Sequence, residues 1–179
     1  MSSKSKNKRT VYYIVLFPLF AAIMFVSDIM LDIAMNVHLL AMFITVFTSV
    51  YRAKALIPIY LYVFLNGLYY GFNGWWIGYL YVWAVLWGAV MLLPRNLKPR
   101  SAAIIYAIVA GAHGLLFGTM LAPVNAVMAG FDFKQTIAWI IAGLFPADLI
   151  HCISNVTVTF LLSIPMITVL KKAEARIVR

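Results

Sequence analysis

Three side chains able to do chemistry stand close together in an apolar run: Asp148 and His151 within Phe145-Pro146-Ala147-Asp148-Leu149-Ile150-His151, and Asn155 just beyond. Spacings of three and then four place them on one face of a helix starting at Pro146. An ionisable group in a membrane span is costly to turn toward lipid and faces a bundle interior or a wet cavity, so this face points to function. Two chemistries fit. The three groups could line a solute pocket, or Asp148 and His151 could ligate a metal with His113 as a third donor, making the chain a membrane-embedded metal-dependent enzyme. The metal reading has little sequence support, because no HExxH, no GxSxG and no paired acid and histidine on a second helix appears. With no Walker A sequence, any ATP-driven step belongs to another subunit.

His113 is the most deeply placed ionisable group, about 17 Å along a helix from Ala102. It lies in the small-residue run Ala107, Ala110, Gly111, Ala112, Gly114 and Gly118, which permits close helix approach. A ligand contact and a bond to a neighbouring helix fit that position equally. Trp76, Leu80, Trp83 and Trp87 repeat at helical spacing and form a stripe, which serves helix packing more often than it walls a pocket. Flat rings with polar tips also hold heterocyclic solutes, and Asn66, Tyr70 and Asn73 stand where they could supply oriented hydrogen bonds. Asp28, Asp32 and Asn36 follow one another at intervals of four at the end of the first apolar run. Of these, Asp28 suits a cavity, and Asp32 and Asn36 equally suit a solvated helix end. His38 reads as an interfacial residue. Cys152 is the only cysteine, so no intramolecular disulfide forms.

The elements that must position these groups are membrane helices. The chain of 179 residues is 65% hydrophobic and 11% charged, with a mean hydropathy of +0.97. A soluble domain carries about 25% charged residues. The reading is an all-α polytopic membrane protein, a single domain of six transmembrane helices over residues 11–170 with basic tails at 1–10 and 171–179. Spans fall near Val11 to Ile33, Val37 to Tyr51, Ala55 to Phe72, Trp76 to Leu93, Ala102 to Leu121 and Pro146 to Leu170. The basic start lacks a small-residue cleavage site and predicts a retained first span. The stretch between the last two spans, residues 122–145, reads as a lid with a short apolar helix over Thr136 to Leu144.

Charge placement orients the bundle. In the six-span reading thirteen of the fourteen Lys and Arg residues fall on one side, with Lys134 alone opposite. Basic residues collect in cytoplasmic loops, so both termini are expected inside. The net charge of +9 is therefore a topology signal, helped by anionic lipid, and gives no reason for a nucleic acid partner. Asp28, Asp32, His38, Asn66, Asn73, Asp148, His151 and Asn155 all map to the outer half, which suits a receptor for an external solute.

The start of the sixth span, Phe145-Pro146-Ala147-Asp148-Leu149-Ile150-His151, is similar to the Pro-Phe-x-x-Asp-Leu-Ile-Lys type of start in the substrate-binding S components of energy-coupling factor (ECF) vitamin transporters. Chain size, the six-span reading, the glycine-rich fifth span and the outer loop agree with that resemblance. It implies a non-enzymatic receptor in the bacterial plasma membrane that captures a vitamin or related micronutrient under a lid. Such a receptor pairs with a transmembrane coupling subunit and two cytoplasmic ATPases, which hydrolyse the ATP, and itself needs no cofactor or metal. Ala21 and Ala22 stand where the family often carries an Ala-x-x-x-Ala docking face, and His151 where it commonly has Lys. The outer half is rich in Trp and Tyr and poor in cations, so the ligand is expected to be a neutral or cationic ring compound, with Asp28 and Asp148 able to balance a charge. A structural membrane subunit without ligand is the remaining class.

Overall fold

The computed structural model describes residues 3–33 and 37–178, with side chains from residue 8 to residue 176; Asn36 lies outside the described residues. The described chain is helical, without a strand: α1 (Ser3–Leu31), α2 (Leu40–Tyr51), α3 (Leu56–Tyr70), α4 (Gly74–Leu92), α5 (Pro99–Leu115), α6 (Phe117–Ala129), α7 (Phe133–Gly143) and α8 (Leu149–Val178). Five stretches are long and apolar enough to cross a membrane: Lys8–Leu31, Leu40–Tyr70, Gly74–Leu92, Pro99–Ala129 and Phe133–Arg176. Their outward faces carry exposed Ile14, Val15 and Leu19 on α1, Ile104 and Ile108 on α5, and Ile153, Phe160 and Leu161 on α8. Continuous apolar surface of this kind belongs against lipid.

The Leu40–Tyr70 stretch is not one straight helix. His38, just before α2, and Asn66, late in α3, both reach the carboxylate of Asp28, at 3.1 and 3.4 Å. A continuous helix would hold residues 28 positions apart at about 42 Å. The chain reverses at a single 3-10 turn, Arg52–Ala55. Arg52 takes a positive φ of 54°, a conformation that costs energy for a residue with a Cβ and persists where its surroundings hold it. The holding groups are visible: its guanidinium donates to the Met91 carbonyl, and its own carbonyl accepts from Trp87 Nε1 at 3.2 Å. Both ends of the described chain meet at this same pole, where Arg9 pairs with Glu174 at 3.1 Å and Tyr13 donates to Glu174 at 2.6 Å. Lys54 lies over the Tyr13 ring, 4.2 Å from its centroid.

α5 and α6 form one slightly broken rod antiparallel to α4, with Tyr81 donating to the Met120 carbonyl and His113 bonding Val82. Gly130, at φ 68°, closes α6, and Asp132 opens α7 with a reciprocal capping box to Gln135. The span expected to start at Pro146 starts a little later: residues Leu144–Asp148 make a wide π turn with Phe145 outside helical φ/ψ, and α8 follows from Leu149. The expected lid is thus mostly helical, an α6–α7 hairpin whose α7 buries no residue, matching the short apolar helix read from Thr136 to Leu144.

α5 and α8 make the most extensive helix pair. Ala110, Gly114 and Gly118 recur every fourth residue and let the two backbones close, as small-xxx-small patterns do in membranes. A Cβ on Gly114 would lie 2.7 Å from Asn155 Nδ2 and 3.0 Å from the backbone nitrogen of Cys152, whereas one on Gly88 would meet nothing within 4 Å. Gly114→Ala is therefore expected to destabilise the protein by about 1 to 3 kcal/mol, the usual cost of overpacking against an unyielding backbone. Gly88→Ala should leave stability unchanged or slightly raised. Thermal unfolding of the two variants in detergent, compared with the parent, checks the contrast.

Candidate functional site

At the pole opposite Arg52 the helix ends enclose a cavity of about 280 Å3. Its polar lining comes from Asp28, Asp32, His38 and Asn66, and its walls from Tyr70, Trp75 and Tyr79. Asp28, near the end of α1, is 9% exposed and has three partners. Tyr62 Oη donates to Oδ2 at 2.8 Å, Asn66 Nδ2 lies 3.4 Å from the same oxygen, and His38 Nδ1 is 3.1 Å from Oδ1. Asp32, in the turn after α1, is exposed and among the described residues accepts from Tyr70 Oη, at 3.3 Å. The rings meet nearly at right angles: Tyr70 and Trp75 at 82° and 6.0 Å between centroids, Trp75 and Tyr79 at 75° and 5.0 Å.

Behind the cavity lies a layer of imidazoles and aromatic rings. His38 packs edge-on against His151, which packs against Phe117 at 4.7 Å. Phe117 also touches His113, Trp83 and Tyr79, and Trp83 stacks on His113 at 5.5 Å. His113 Nε2 donates to the Val82 carbonyl at 3.0 Å, which makes Nδ1 the acceptor nitrogen. His151 is 2% exposed, and neither ring nitrogen has a hydrogen-bond partner.

The polar face of α8 runs further than the three residues that first mark it. Asp148, His151, Asn155, Thr159 and Ser163 succeed one another at intervals of three or four, all buried. The first and third are tied to the α5–α6 rod: Asp148 Oδ1 accepts from the Gly118 amide of α6 at 3.1 Å, and Asn155 Nδ2 donates to the Ala110 carbonyl of α5 at 3.2 Å. Asp148 Oδ2, Asn155 Oδ1 and the hydroxyls of Thr159 and Ser163 have no partner, nor do those of Thr45 and Thr48 on α2. Ser27, Ser49 and Thr168 instead bond carbonyls of their own helices.

Of the residues expected to bind solute, the structure brings Asn66 and Tyr70 to the cavity. Trp83, His113 and His151 fall in the layer behind it, and Asp148 and Asn155 in the α5–α8 seam. Trp76 buttresses the wall by donating from Nε1 to the Val63 carbonyl at 2.9 Å. Asn73 is the N-cap residue of α4 and makes no side-chain capping bond. The cavity itself is formed by the ends of the first four helical segments. His113, Asp148 and His151 do not converge, because the Phe117 ring packs against both imidazoles and Asp148 turns to Gly118. Among the described residues no group of three His, Cys, Asp or Glu side chains could hold a metal ion. Trp83 is 1% exposed and belongs to the core, and Trp87 holds the Arg52 turn, so the Trp stripe is packing.

Phe117, the hub of the inner layer, carries no sequence signal beyond its apolarity. His38 was legible as a polar residue near a helix start, and only its meeting with Asp28 and His151 shows its place. Trp75 and Tyr79 stood in the aromatic run without a feature to single them out. Geometry therefore defines a class: an all-helical protein with helices suited to a membrane and an acidic, aromatic vestibule at one end. No protein-family model, no curated protein and no solved structure matches the chain.

The Asp28 cluster makes a direct prediction. Asp28→Ala leaves the Tyr62 hydroxyl, on a side chain with no exposed surface, without its acceptor, so it should cost about 1 to 3 kcal/mol. Tyr62→Phe in that background should cost little more. A double-mutant cycle read by thermal unfolding should give a coupling of at least about 0.5 kcal/mol between the two positions.

Proposed function

We propose that this chain is a membrane-embedded solute receptor of the S-component type: six transmembrane helices, both termini cytoplasmic, capturing a vitamin-like micronutrient from outside for ATP-driven import by partner subunits. The observation that carries the reading is the vestibule at the pole opposite the basic turns. Arg52 and Lys54 lie in the α2–α3 connection, Arg95 and Lys98 in the α4–α5 connection and Arg100 in the first turn of α5, and basic residues mark the cytoplasmic side. On that orientation the cavity opens outward, and the α6–α7 hairpin lies at the same outer end, in the place of a lid. Counting the α2–α3 reversal as two crossings, and α7, which buries no residue, as part of the outer hairpin, gives six passes.

In this reading the partners are a transmembrane coupling subunit and two cytoplasmic ATPases. The chain itself uses no cofactor and catalyses no reaction. The docking assignment divides between its two residues. Ala21 is 1% exposed and packs in the core, while Ala22 is on the outward surface of α1 beside exposed Leu19, Ile23 and Val26. Ala22 and its neighbours are therefore the surface that a coupling subunit would meet.

The chain purified gently from cells grown in rich medium, then denatured, should release one small molecule in near-equal molar amount, identified by mass spectrometry. Asn66→Ala should lower that occupancy about tenfold or more through loss of a buried polar contact. Trp83→Ala should instead act through the fold, lowering thermal stability. Occupancy unchanged in Asn66→Ala would remove the vestibule as the binding site. A complementary test uses a cysteine-free background: Lys134→Cys should react with a membrane-impermeant maleimide added to whole cells, and Lys98→Cys only after lysis. The reverse pattern would overturn the orientation.

A further inference from the structure

Resting on the receptor reading, we infer that the vestibule selects a compact organic cation, one whose positive charge is spread over a methylated or ring nitrogen. The first argument is charge. Among the described residues, two carboxylates, Asp28 and Asp32, line the cavity and no Lys or Arg does. His38 stands 3.1 Å from Asp28, whereas Asp32 has no basic side chain beside it among the described residues that line the cavity. An anionic solute would meet that charge without a counter-ion, and a cation would complete it.

The second argument is the shape and chemistry of the walls. Tyr70, Trp75 and Tyr79 stand in a chain of near-perpendicular contacts, so their faces and edges bound the cavity from more than one direction. The negative face of an aromatic ring attracts a cation, and walls set at angles form the cage that recognises alkylated ammonium and related groups. A diffuse charge is also weakly hydrated, so it loses little on leaving water, unlike a primary ammonium or a metal ion. The donor set fits a metal poorly, because Asp28 is already engaged by Tyr62, Asn66 and His38, and no three candidate ligands converge.

The third argument is the division of labour between the acids. Asp28 is buried and fixed by three partners, which holds its charge in one place. Asp32 is exposed, and among the described residues the one side chain that bonds its carboxylate is Tyr70, at 3.3 Å. Behind His38 lies the buried His151, neither ring nitrogen of which has a hydrogen-bond partner among the described residues. A cavity of about 280 Å3 suits a single ring or a small alkylated ammonium head, with any longer part of the solute projecting toward the α6–α7 hairpin.

Three probes sharing one ring and differing in charge test this: 1-methylnicotinamide, nicotinamide and nicotinate, titrated against the full chain in lipid nanodiscs after exhaustive dialysis, with tryptophan fluorescence as the readout. The cation should quench saturably, with a dissociation constant at least tenfold below that of either other probe. Asp32→Asn, a substitution at an exposed turn that leaves the Asp28 cluster intact, should weaken the cation about tenfold and leave the neutral probe unchanged. Tyr70→Phe should retain most of the preference, since the ring face remains. Equal or tighter binding of nicotinamide or nicotinate would overturn the cation inference and leave solute capture standing. Absence of saturation with all three would also overturn it. The receptor reading is judged separately, by whether a compound of any charge is released from the purified chain.

Discussion

The Asp28 carboxylate is the constraint around which the rest is arranged. A charge that is nine-tenths buried is tolerable only with several compensating partners, and Asp28 draws them from both ends of the next apolar stretch: His38 before α2, and Tyr62 and Asn66 in α3. Satisfying one oxygen pair therefore requires the chain to double back between them. That reversal puts Arg52 and Lys54 at the far pole, beside Tyr13 and the end of α4, and leaves Asp28 and Asp32 together at the near one. The separation of charge along the bundle axis follows from where a single acid finds its donors.

The second half of the chain uses a different principle. α5 and α8 are held by close backbone approach along Ala110, Gly114 and Gly118, and the polar groups on α8 fit into that seam as bonds to backbone, Asp148 to Gly118 and Asn155 to Ala110. The two halves join through rings. Phe117 touches residues of α4, α5 and α8, and His151 reaches across to His38. A change at the vestibule floor is therefore in contact with the deepest imidazole of the protein through two or three van der Waals neighbours.

Much of the fold could be read from the sequence because membrane solvation is a simple filter. Long apolar runs, basic residues at alternate breaks and small residues at fourfold spacing each have one physical cause, and the helices lie close to where those signals put them. The α7 helix was equally legible from its apolar pattern, and Asp132 with Gln135 supplies the start signal that its boundary lacked. The site was less legible, since polar residues in a membrane helix all look alike in one dimension. Asp148 and Asn155 resemble ligand-binding groups and turn out to bond backbone. Asp28, which suits a cavity by its apolar flanks, and Asp32, which equally suits a solvated helix end, both line the cavity. What separated them is which helix lies opposite, and pairing of that kind depends on distant residues such as Tyr62 and His38 that no local pattern connects.

The turn at Arg52 has a consequence for how such a chain enters a bilayer. Leu40–Tyr70 is 31 residues long and apolar enough to be threaded as a single tilted segment, but its middle carries Arg52 and Lys54. Leaving either charge at the centre of the hydrocarbon costs about 2.5 to 3.5 kcal/mol on the insertion scale. A segment of this composition gains by keeping its midpoint at the surface it started from and letting both arms cross together. On the proposed six-pass topology, the unit that partitions from the insertion machinery for α2 and α3 would be the pair, and neither helix an independent passenger.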